Sequence, residues 1–525
     1  MESDKHIQSH TGDVATASDG TGGRRSAEAG SQAQTGGGAS ASAGTGGAAK
    51  SSVTSQTPAA GKSIPAPISQ ALLLGIKDAT DYAVAMLFAS LFGETHRFIR
   101  DDEYWIFWTG KHWVADVKAQ ELHSDLRELR SRLVESRSLY SSPAIETIIH
   151  KLSQSRSTTA VIKYLSHEAS LTLLSSDLDA YEHLIAFGNG VFNTDTAQVI
   201  TAPDAIRPLY LLKRVRADYD AGAACPRWFE FLETIFCGDI DLIRYIQKAA
   251  GLSLSGKVLE ERLFFTVGDG GNGKSTFFEA LSKILGDYHQ EIDSSILLKS
   301  KMSDQRMLLE NIANLRGIRF ATCNELPEKR AYNDIVVKQL SSRDQMTGKR
   351  IYNSVSSFAP SHKLWIRANH KPSFNVSDAA MLRRIVLIPF NHTFTEAERI
   401  ERYEDLLLRE KSGILLWLIE GWKLYRKEGL KQLPQSLATA MEDYKHECDT
   451  LEQFIEEKCV KMEGKRLPLS SFTNAYNEWA GVNGVGKSTS RRLGDEMRKN
   501  GYEVVKSGNT CVAGLVLVDH ESSSS

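Results

Sequence analysis

The sequence predicts a multidomain α/β protein with a central α/β core and an α+β segment on each side of it. Three observations predict this class. At 525 residues the chain is long enough for two to four domains with well-filled cores. In the middle of the chain, short apolar runs alternate with polar helical segments, which is typical of a parallel sheet covered by helices. Before and after that part, apolar residues recur mainly at helical spacing, and the few short strands read as hairpins.

Composition and charge exclude several classes of protein. The sequence has no run of 18 or more apolar residues and does not begin with a secretory signal, so we expect a cytoplasmic protein without a membrane span. Its six cysteines are scattered without a C-x-x-C pair, which indicates reduced thiols and neither a disulfide framework nor a zinc site. The formal net charge of −2 gives no global basic field, so nucleic acid would have to bind on a local surface.

The first 225 residues predict a tail followed by an α+β domain. Residues 1–67 are rich in Gly, Ala, Ser and Thr and cannot bury enough apolar area to offset chain entropy, so we expect a disordered tail, either solvated or used to recruit a partner. The domain, residues 68–225, begins with a helix behind the cap residue Thr80. The aromatic run 104–114 predicts a hairpin, whose rings either form core or stack on bases.

The phosphate-binding pattern G-x-x-x-x-G-K-[ST] occurs twice, and the first copy has the context that its chemistry requires. The apolar run 263–267 predicts a buried strand before it, and apolar residues at helical spacing follow it. Glycines let backbone N–H groups turn toward a phosphate at the start of that helix. Lys274 would reach the β- and γ-phosphates, and the Ser275 hydroxyl would bind Mg²⁺. The residues expected to bind ATP are Gly268, Asp269, Gly270, Gly271, Asn272, Gly273, Lys274, Ser275 and Thr276.

The second copy, at residues 481–488, lacks this context. The aromatic spacing before it predicts a helix and not a strand, and a cationic helix and two strands follow it. Helix, turn, basic helix and hairpin together predict a winged helix-turn-helix over residues 450–525, after a helical extension at 401–449. The second copy is therefore interpreted as a turn. The cations of this segment would face DNA phosphates or merely water: Lys487, Arg491, Arg492 and Arg498.

Residues after the later strands of the core predict the rest of an ATPase site. Glu325 follows a predicted strand at 318–323 and is the candidate general base and second metal ligand, although a surface glutamate is the alternative. Asn369 follows the strand 364–368 and can hold the attacking water or the γ-phosphate. Arg383 and Arg384 precede the next strand, where they form either a solvated edge or an arginine that reaches a neighbouring subunit's site.

Together these motifs resemble the helicase half of phage and plasmid primase–helicases, a family that includes the poxvirus protein, from residue 68 to the C-terminus. The resemblance implies a superfamily III, AAA+-type P-loop ATPase domain over residues 226–400 and a hexameric ring around DNA. It makes Glu325 the second Walker acid, Asn369 the sensor asparagine, and Arg383 or Arg384 the arginine finger. It also implies a hairpin that grips single-stranded DNA, with three candidate contacts: Lys349, Arg350 and Lys363.

The sequence departs from the family pattern in two places. Ser342-Arg343-Asp344 stands where the family usually has Gly-Gly-Asp, and Asn324 precedes Glu325, which leaves a single acid for metal and water. No primase domain with paired acids fits ahead of residue 68, so a helicase is expected and not a primase.

The sequence therefore predicts an ATP- and Mg²⁺-dependent DNA helicase that acts on single-stranded and forked DNA during replication of a phage, plasmid or integrated element. A separate primase is a candidate partner, and the 3′–5′ direction follows from the resemblance alone. One alternative is a DNA-binding initiator or regulator in which the ATPase is only an assembly switch. Another is a protein-remodelling AAA+ ATPase.

Overall fold

The computed structural model describes residues 68–299, 305–324, 332–349, 356–372, 379–483 and 485–518. All of them belong to the compact unit Ala59–Ser525. The predicted disordered tail, residues 1–67, lies outside the described residues. Among the described helices, none is both long enough and apolar enough to cross a membrane.

The described α-helices are α1 (Gln70–Gly75), α2 (Asp81–Phe92), α3 (Gln120–Glu135), α4 (Pro143–Lys151), α5 (Ser155–Leu165), α6 (Pro203–Ile206), α7 (Pro226–Ile235), α8 (Ile240–Leu252), α9 (Lys274–Leu285), α10 (Gln305–Asn314), α11 (Asp334–Leu340), α12 (Ala379–Leu382), α13 (Tyr403–Leu408), α14 (Lys411–Glu428), α15 (Gln435–Cys448), α16 (Thr450–Lys458), α17 (Leu469–Val482) and α18 (Ser490–Lys499).

The described strands are β1 (His96–Ile99), β2 (Tyr104–Trp108), β3 (Trp113–Asp116), β4 (Thr172–Leu173), β5 (Leu184–Phe187), β6 (Gly190–Asn193), β7 (Gln198–Ile200), β8 (Leu263–Val267), β9 (His289–Ile292), β10 (Phe320–Cys323), β11 (Met346–Gly348), β12 (Ser356–Phe358), β13 (Lys363–Ala368), β14 (Ile385–Pro389), β15 (Cys459–Pro468), β16 (Val504–Ser507) and β17 (Asn509–Leu517).

The N-terminal region combines helices with two small sheets, in the orders β3-β2-β1-β4 and β5-β6-β7. Thr80 caps α2, as predicted, because its hydroxyl accepts a hydrogen bond from the Ala83 N–H. The aromatic hairpin is β2–β3, and its tryptophans Trp105, Trp108 and Trp113 are at most 5% exposed. Buried rings cannot stack on bases, so the tryptophans of this hairpin are core residues.

The central region is built on one five-stranded sheet whose order is β14-β8-β13-β10-β9. Every neighbouring pair in it is parallel. The predicted strands at 263–267, 318–323 and 364–368 are found as β8, β10 and β13, which confirms the mixed α/β class with a parallel sheet. Strands β8, β10, β13 and β14 are almost entirely buried, as expected where helices cover both faces of a parallel sheet, whereas the edge strand β9 is more polar and exposed.

A close helix contact fixes the position of α8 beside α14. An added Cβ at Gly421 would lie 2.1 Å from the Gln247 carbonyl oxygen, and one at Gly251 would lie 2.3 Å from the Trp422 nitrogen. No Cβ atom tolerates such a separation, so glycine is required on both helices. This contact sets α8 and α14 together against the core that surrounds Trp228 and Phe277.

A buried arginine joins the N-terminal region to the central sheet, and a buried lysine lies at the start of the neighbouring strand. Arg319, just before β10, donates hydrogen bonds from its guanidinium to the carbonyl oxygens of Leu184 and Leu254. Its guanidinium carbon lies 4.8 Å from the centre of the Tyr288 ring. Lys363, at the start of β13, donates from Nζ to the Ser255 carbonyl oxygen and, at 3.1 Å, to that of Ser361.

The C-terminal segment has its own core and a three-stranded antiparallel sheet in the order β15-β17-β16. Phe454, Phe472 and Trp479 pack together in that core with Leu493 of α18. Helix α17, the turn, helix α18 and the hairpin β16–β17 follow one another as expected, and Gly508 turns the hairpin with φ +73°. Strand β15 was missed, because its long exposed stretch carries no regular apolar alternation. The winged-helix assignment stays a prediction.

Candidate nucleotide site and DNA contacts

The first glycine-rich segment links the end of β8 to the start of α9. Gly270, Gly271 and Gly273 have φ values of +97°, +62° and +82°, a backbone region that favours glycine. Gly273 is also hemmed in, because an added Cβ would lie 2.6 Å from Cγ2 of Ile235. The turn therefore depends on glycine at these positions, and the buried strand and the following helix stand where the sequence predicts them.

Lys274 is folded across this loop. It is 5% exposed, and its Nζ donates to the Gly268 carbonyl oxygen at 2.6 Å and to Asn272 Oδ1 at 2.9 Å. The Asn272 amide in turn donates to the Phe390 carbonyl oxygen at 3.3 Å. The lysine head group is thus held among backbone and amide oxygens at the loop, within reach of whatever the loop binds. Ser275 is exposed on the first turn of α9, and Thr276 beside it is half-buried.

Two asparagines mark the edge of the sheet where the loop begins. Asn369 follows Ala368, which pairs with Val267 at the end of β8, so Asn369 lies beside the first residue of the loop. Its Oδ1 is buried and accepts no hydrogen bond from the described residues. Asn324 follows β10 on the same edge, and its Oδ1 is buried in the same way. Glu325, the predicted base and metal ligand, lies outside the described residues.

The Asn324 side chain is oriented by Glu291, a residue that the sequence reasoning missed. The Asn324 amide donates to the Glu291 carboxylate. Since a carboxylate can only accept at neutral pH, this bond assigns the nitrogen of the amide to the Glu291 side and leaves the oxygen on the other branch. Glu291 lies on β9, which pairs in parallel with β10. No motif marks that strand, so only the sheet order reveals the contact.

The tandem arginines have different environments. Arg384 is 8% exposed, and it donates to Glu261 Oε2 at 2.9 Å and to the Ala380 carbonyl oxygen at 2.7 Å. The Arg383 side chain is 67% exposed and its nearest Glu261 oxygen is 3.9 Å away. Both precede β14, and the Arg384 carbonyl accepts from the N–H of Leu263, the first residue of β8. They therefore lie at the edge of the sheet opposite the first glycine-rich loop, and neither belongs to the candidate site at that loop.

The three predicted contacts to single-stranded DNA separate in the structure. Lys363 is 3% exposed, with its Nζ on the two serine carbonyl oxygens named above, and burial lowers its pKa well below the usual value. This placement corrects the prediction that Lys363 contacts DNA, because a buried lysine presents no charge to a phosphate. Lys349 is exposed directly after β11, which pairs antiparallel with β12. Arg350 lies outside the described residues.

The second glycine-rich copy begins in the last residues of helix α17 and ends before helix α18, so a helix and not a strand leads into it. Asn477 holds this turn by accepting from the Ser488 N–H at 2.8 Å and donating to its carbonyl oxygen at 3.0 Å. Lys487 and Arg491 are exposed. Arg492 is exposed too, but its Nε lies 3.0 Å from Glu496 Oε1 one helical turn later, which offsets part of its charge.

One family model matches the chain. It is described as D5 N terminal like and covers residues 85–237, which span most of the N-terminal region and helix α7.

Three curated relatives are viral proteins. A protein of Acanthamoeba polyphaga mimivirus, provisionally named helicase L207/L206, is 27% identical over 364 residues, or 65% of this chain and 38% of the relative. Helicase 022R of Frog virus 3, also a provisional name, is 24% identical over 46% of this chain and 26% of the relative. A provisionally named primase, C962R of African swine fever virus, is 21% identical over 58% of this chain and 34% of the relative. The matches thus span well under half the length of these relatives.

Among solved structures, the C-terminal region of NrS-1 in its A form is similar to the chain with a TM-score of 0.39 and 14% identity. The superposition covers 59% of this chain and 80% of that one.

Proposed function

We infer, from the premise that the chain belongs to a primase–helicase-like family, that it is a DNA replication helicase driven by ATP hydrolysis. The single observation that carries the ATPase part is the geometry around Lys274. A glycine loop links a buried parallel strand to a helix N-terminus, and polar residues end two further strands at the same edge of the sheet. In open α/β sheets that edge is where ligands bind.

The loop residues fit a nucleotide triphosphate. Three glycines with positive φ leave no Cβ in front of the loop backbone, and the N-terminus of α9 favours an anion. In the proposed site Lys274 exchanges its bonds to Gly268 and Asn272 for bonds to phosphate oxygens. Ser275 would hold the Mg²⁺ ion, which neutralises charge on the β- and γ-phosphates when bound.

The residues at the sheet edge would position the attacking water. None of the described residues donates a hydrogen bond to the buried Asn369 Oδ1, and the attacking water would donate one. Glu325, next in sequence to Asn324, is the proposed general base that accepts the proton of that water. Asn324, with its amide fixed by Glu291, takes the place of a first acid and offers a neutral oxygen to the metal's water shell.

We propose that the subunits form a ring, in which Arg383 is the arginine finger. Its exposure and its position away from its own loop support a role at a neighbour's site, whereas burial of Arg384 and its ion pair with Glu261 support a structural role for that residue. Lys349, with Arg350, is the proposed contact to single-stranded DNA. The cations of the C-terminal segment would bind duplex phosphates: Lys487, Arg491 and Arg492.

Unwinding of forked DNA tests this function directly. The full chain should separate the strands only with ATP and Mg²⁺, and Lys274→Ala should not separate them. Lys487→Ala, which changes the lysine of the second glycine-rich copy, is the matched control for the nucleotide site and should hydrolyse ATP in the absence of DNA at nearly the wild-type rate. Absence of strand separation by a wild-type chain that hydrolyses ATP would refute the helicase proposal.

A second function is favoured by the separate core of the C-terminal segment. A domain that folds around its own core and exposes cations suits a DNA-binding initiator in which the ATPase only switches assembly. Such a protein would bind duplex DNA and hydrolyse ATP slowly without separating a fork. The same unwinding assay therefore distinguishes the two functions.

A further inference from the structure

The chain that follows β14 folds back over the phosphate loop. The Phe394 N–H donates to the Gly271 carbonyl oxygen at 2.9 Å, and the Phe394 ring lies 3.3 Å from where a Cβ on Gly273 would be. With the Asn272–Phe390 bond, this segment touches three residues of the loop. It therefore forms part of the wall of the candidate nucleotide site.

A short turn at the end of this segment is fixed by one carboxylate. Glu398 accepts hydrogen bonds from both the N–H and the hydroxyl of Thr395, each at 2.8 Å, and these bonds lower the pKa of the Glu398 carboxyl group. The N–H of Arg399 donates to the Thr395 carbonyl oxygen at 3.2 Å. The backbone of Arg399 is thus anchored to the turn, while the acid beside it is already engaged.

The Arg399 side chain reaches the loop itself. Its terminal nitrogen Nη2 lies 3.0 Å from the point that a Cβ on Gly271 would occupy. The side chain is exposed, and its guanidinium forms no hydrogen bond or ion pair with any of the described residues. Asp269, exposed in the same loop, does not pair with it. An unengaged guanidinium therefore stands against a glycine backbone that is shaped for phosphate.

We propose that Arg399 binds the polyphosphate of the nucleotide held by its own subunit's loop. The proposal rests on the function inferred above and adds a second cation to Lys274. A guanidinium offers paired N–H donors that match two oxygens of a phosphate, which an ammonium group does not. Gly271 lacks a side chain at the point of approach, and its φ of +62° favours glycine there.

Nucleotide binding without turnover tests the proposal. The affinity of the full chain for fluorescent mant-ATP and mant-ADP is measured for wild type, Arg399→Gln and Arg402→Gln. Arg402 is a matched control because it is exposed, lies three residues later and pairs with Asp405. A charge-assisted bond to phosphate predicts about a tenfold loss of affinity for Arg399→Gln and no change for the control. Loss with mant-ATP alone assigns the contact to the γ-phosphate, and loss with both nucleotides assigns it to the β-phosphate.

Equal affinities of Arg399→Gln and wild type for both nucleotides would overturn the proposal. If wild type itself bound neither nucleotide, the proposed ATPase function would fail instead, so the two failures are distinguishable. Mixing Arg399→Gln with Lys274→Ala subunits tests the assignment to one subunit. At a subsaturating ATP concentration, where Arg399→Gln alone hydrolyses slowly, every site then carries one of the two substitutions, and mixing should not restore hydrolysis at any ratio. Recovery would show that Arg399 serves a neighbour's site.

Discussion

The two copies of the glycine-rich pattern permit a paired test, in which Lys274→Ala and Lys487→Ala each replace the lysine of one copy. Lys274 is 5% exposed and is held by two oxygens of the loop, whereas Lys487 is exposed in a turn between helices. Only the first lysine lies at the end of a buried parallel strand. The variants should therefore differ sharply in ATP hydrolysis although their sequence motifs are alike.

The expected magnitudes follow from these environments. Removal of one preorganised donor that stabilises transition-state charge lowers the rate by about 10²–10³-fold, so Lys274→Ala should retain at most about 1% of the hydrolysis rate. A change at an exposed site away from special features alters stability by about 0.5 kcal/mol or less, and Lys487→Ala should hydrolyse ATP within about twofold of wild type.

Folding must be measured beside activity. Lys274→Ala leaves the Gly268 carbonyl and Asn272 Oδ1 without this donor, which costs about 1–3 kcal/mol in stability. Phosphate release measured at saturating ATP, together with thermal unfolding, separates the two effects. Retained hydrolysis in Lys274→Ala, or lost hydrolysis in a folded Lys487→Ala, would refute the assignment of the site.

Three further predictions concern the neighbouring residues. Mixing Arg383→Ala with Lys274→Ala subunits should restore part of the ATP hydrolysis, since mixed interfaces pair an intact loop with an intact finger; no recovery at any ratio would contradict a role between subunits. Glu291→Ala should raise the Mg²⁺ concentration needed for half-maximal mant-ATP binding. Glu291→Gln should not raise it, because its side-chain oxygen can still accept the hydrogen bond from Asn324. If Glu291→Ala raised this concentration as much in an Asn324→Ala variant as in wild type, Glu291 would not act by orienting Asn324. Joint replacement of three cations by alanine should flatten the log–log salt dependence of duplex binding by about two to three units and spare DNA-independent hydrolysis, and an unchanged slope would remove these residues from the interface: Lys487, Arg491 and Arg492.

The sequence predicts the strand, glycine-rich turn and helix around Lys274 well because all of their determinants are local. The apolar strand, the glycines and the helix start lie within residues 263–285, and each is set by backbone conformation or by burial of a short run. The hairpin β16–β17 was predicted for the same reason, with Gly508 at its turn. The parallel sheet followed from the alternation of strands and helices.

Roles that depend on distant contacts were not predictable in this way. Lys363 is a basic residue of the type that contacts DNA, but the carbonyl oxygens of Ser255 and Ser361 hold it in the interior. Arg383 and Arg384 are adjacent and chemically identical, and only the position of Glu261 separates them. Arg399 reaches the loop because the chain folds back after β14, which no local pattern indicates.

The buried hydrogen bonds of Arg319 couple part of the N-terminal region to the central sheet. Its guanidinium binds a carbonyl oxygen of β5 on one side and one at the end of α8 on the other, while the Ala186 N–H donates to the Tyr288 hydroxyl at 3.2 Å. A cut at the predicted boundary, residue 225, would strip this cation of an acceptor inside the protein, at a cost of about 1–3 kcal/mol for each polar group left unsatisfied. Residues 184–187 should consequently move together with the central sheet as one rigid unit. A hinge that lets the N-terminal region swing would have to lie before residue 184.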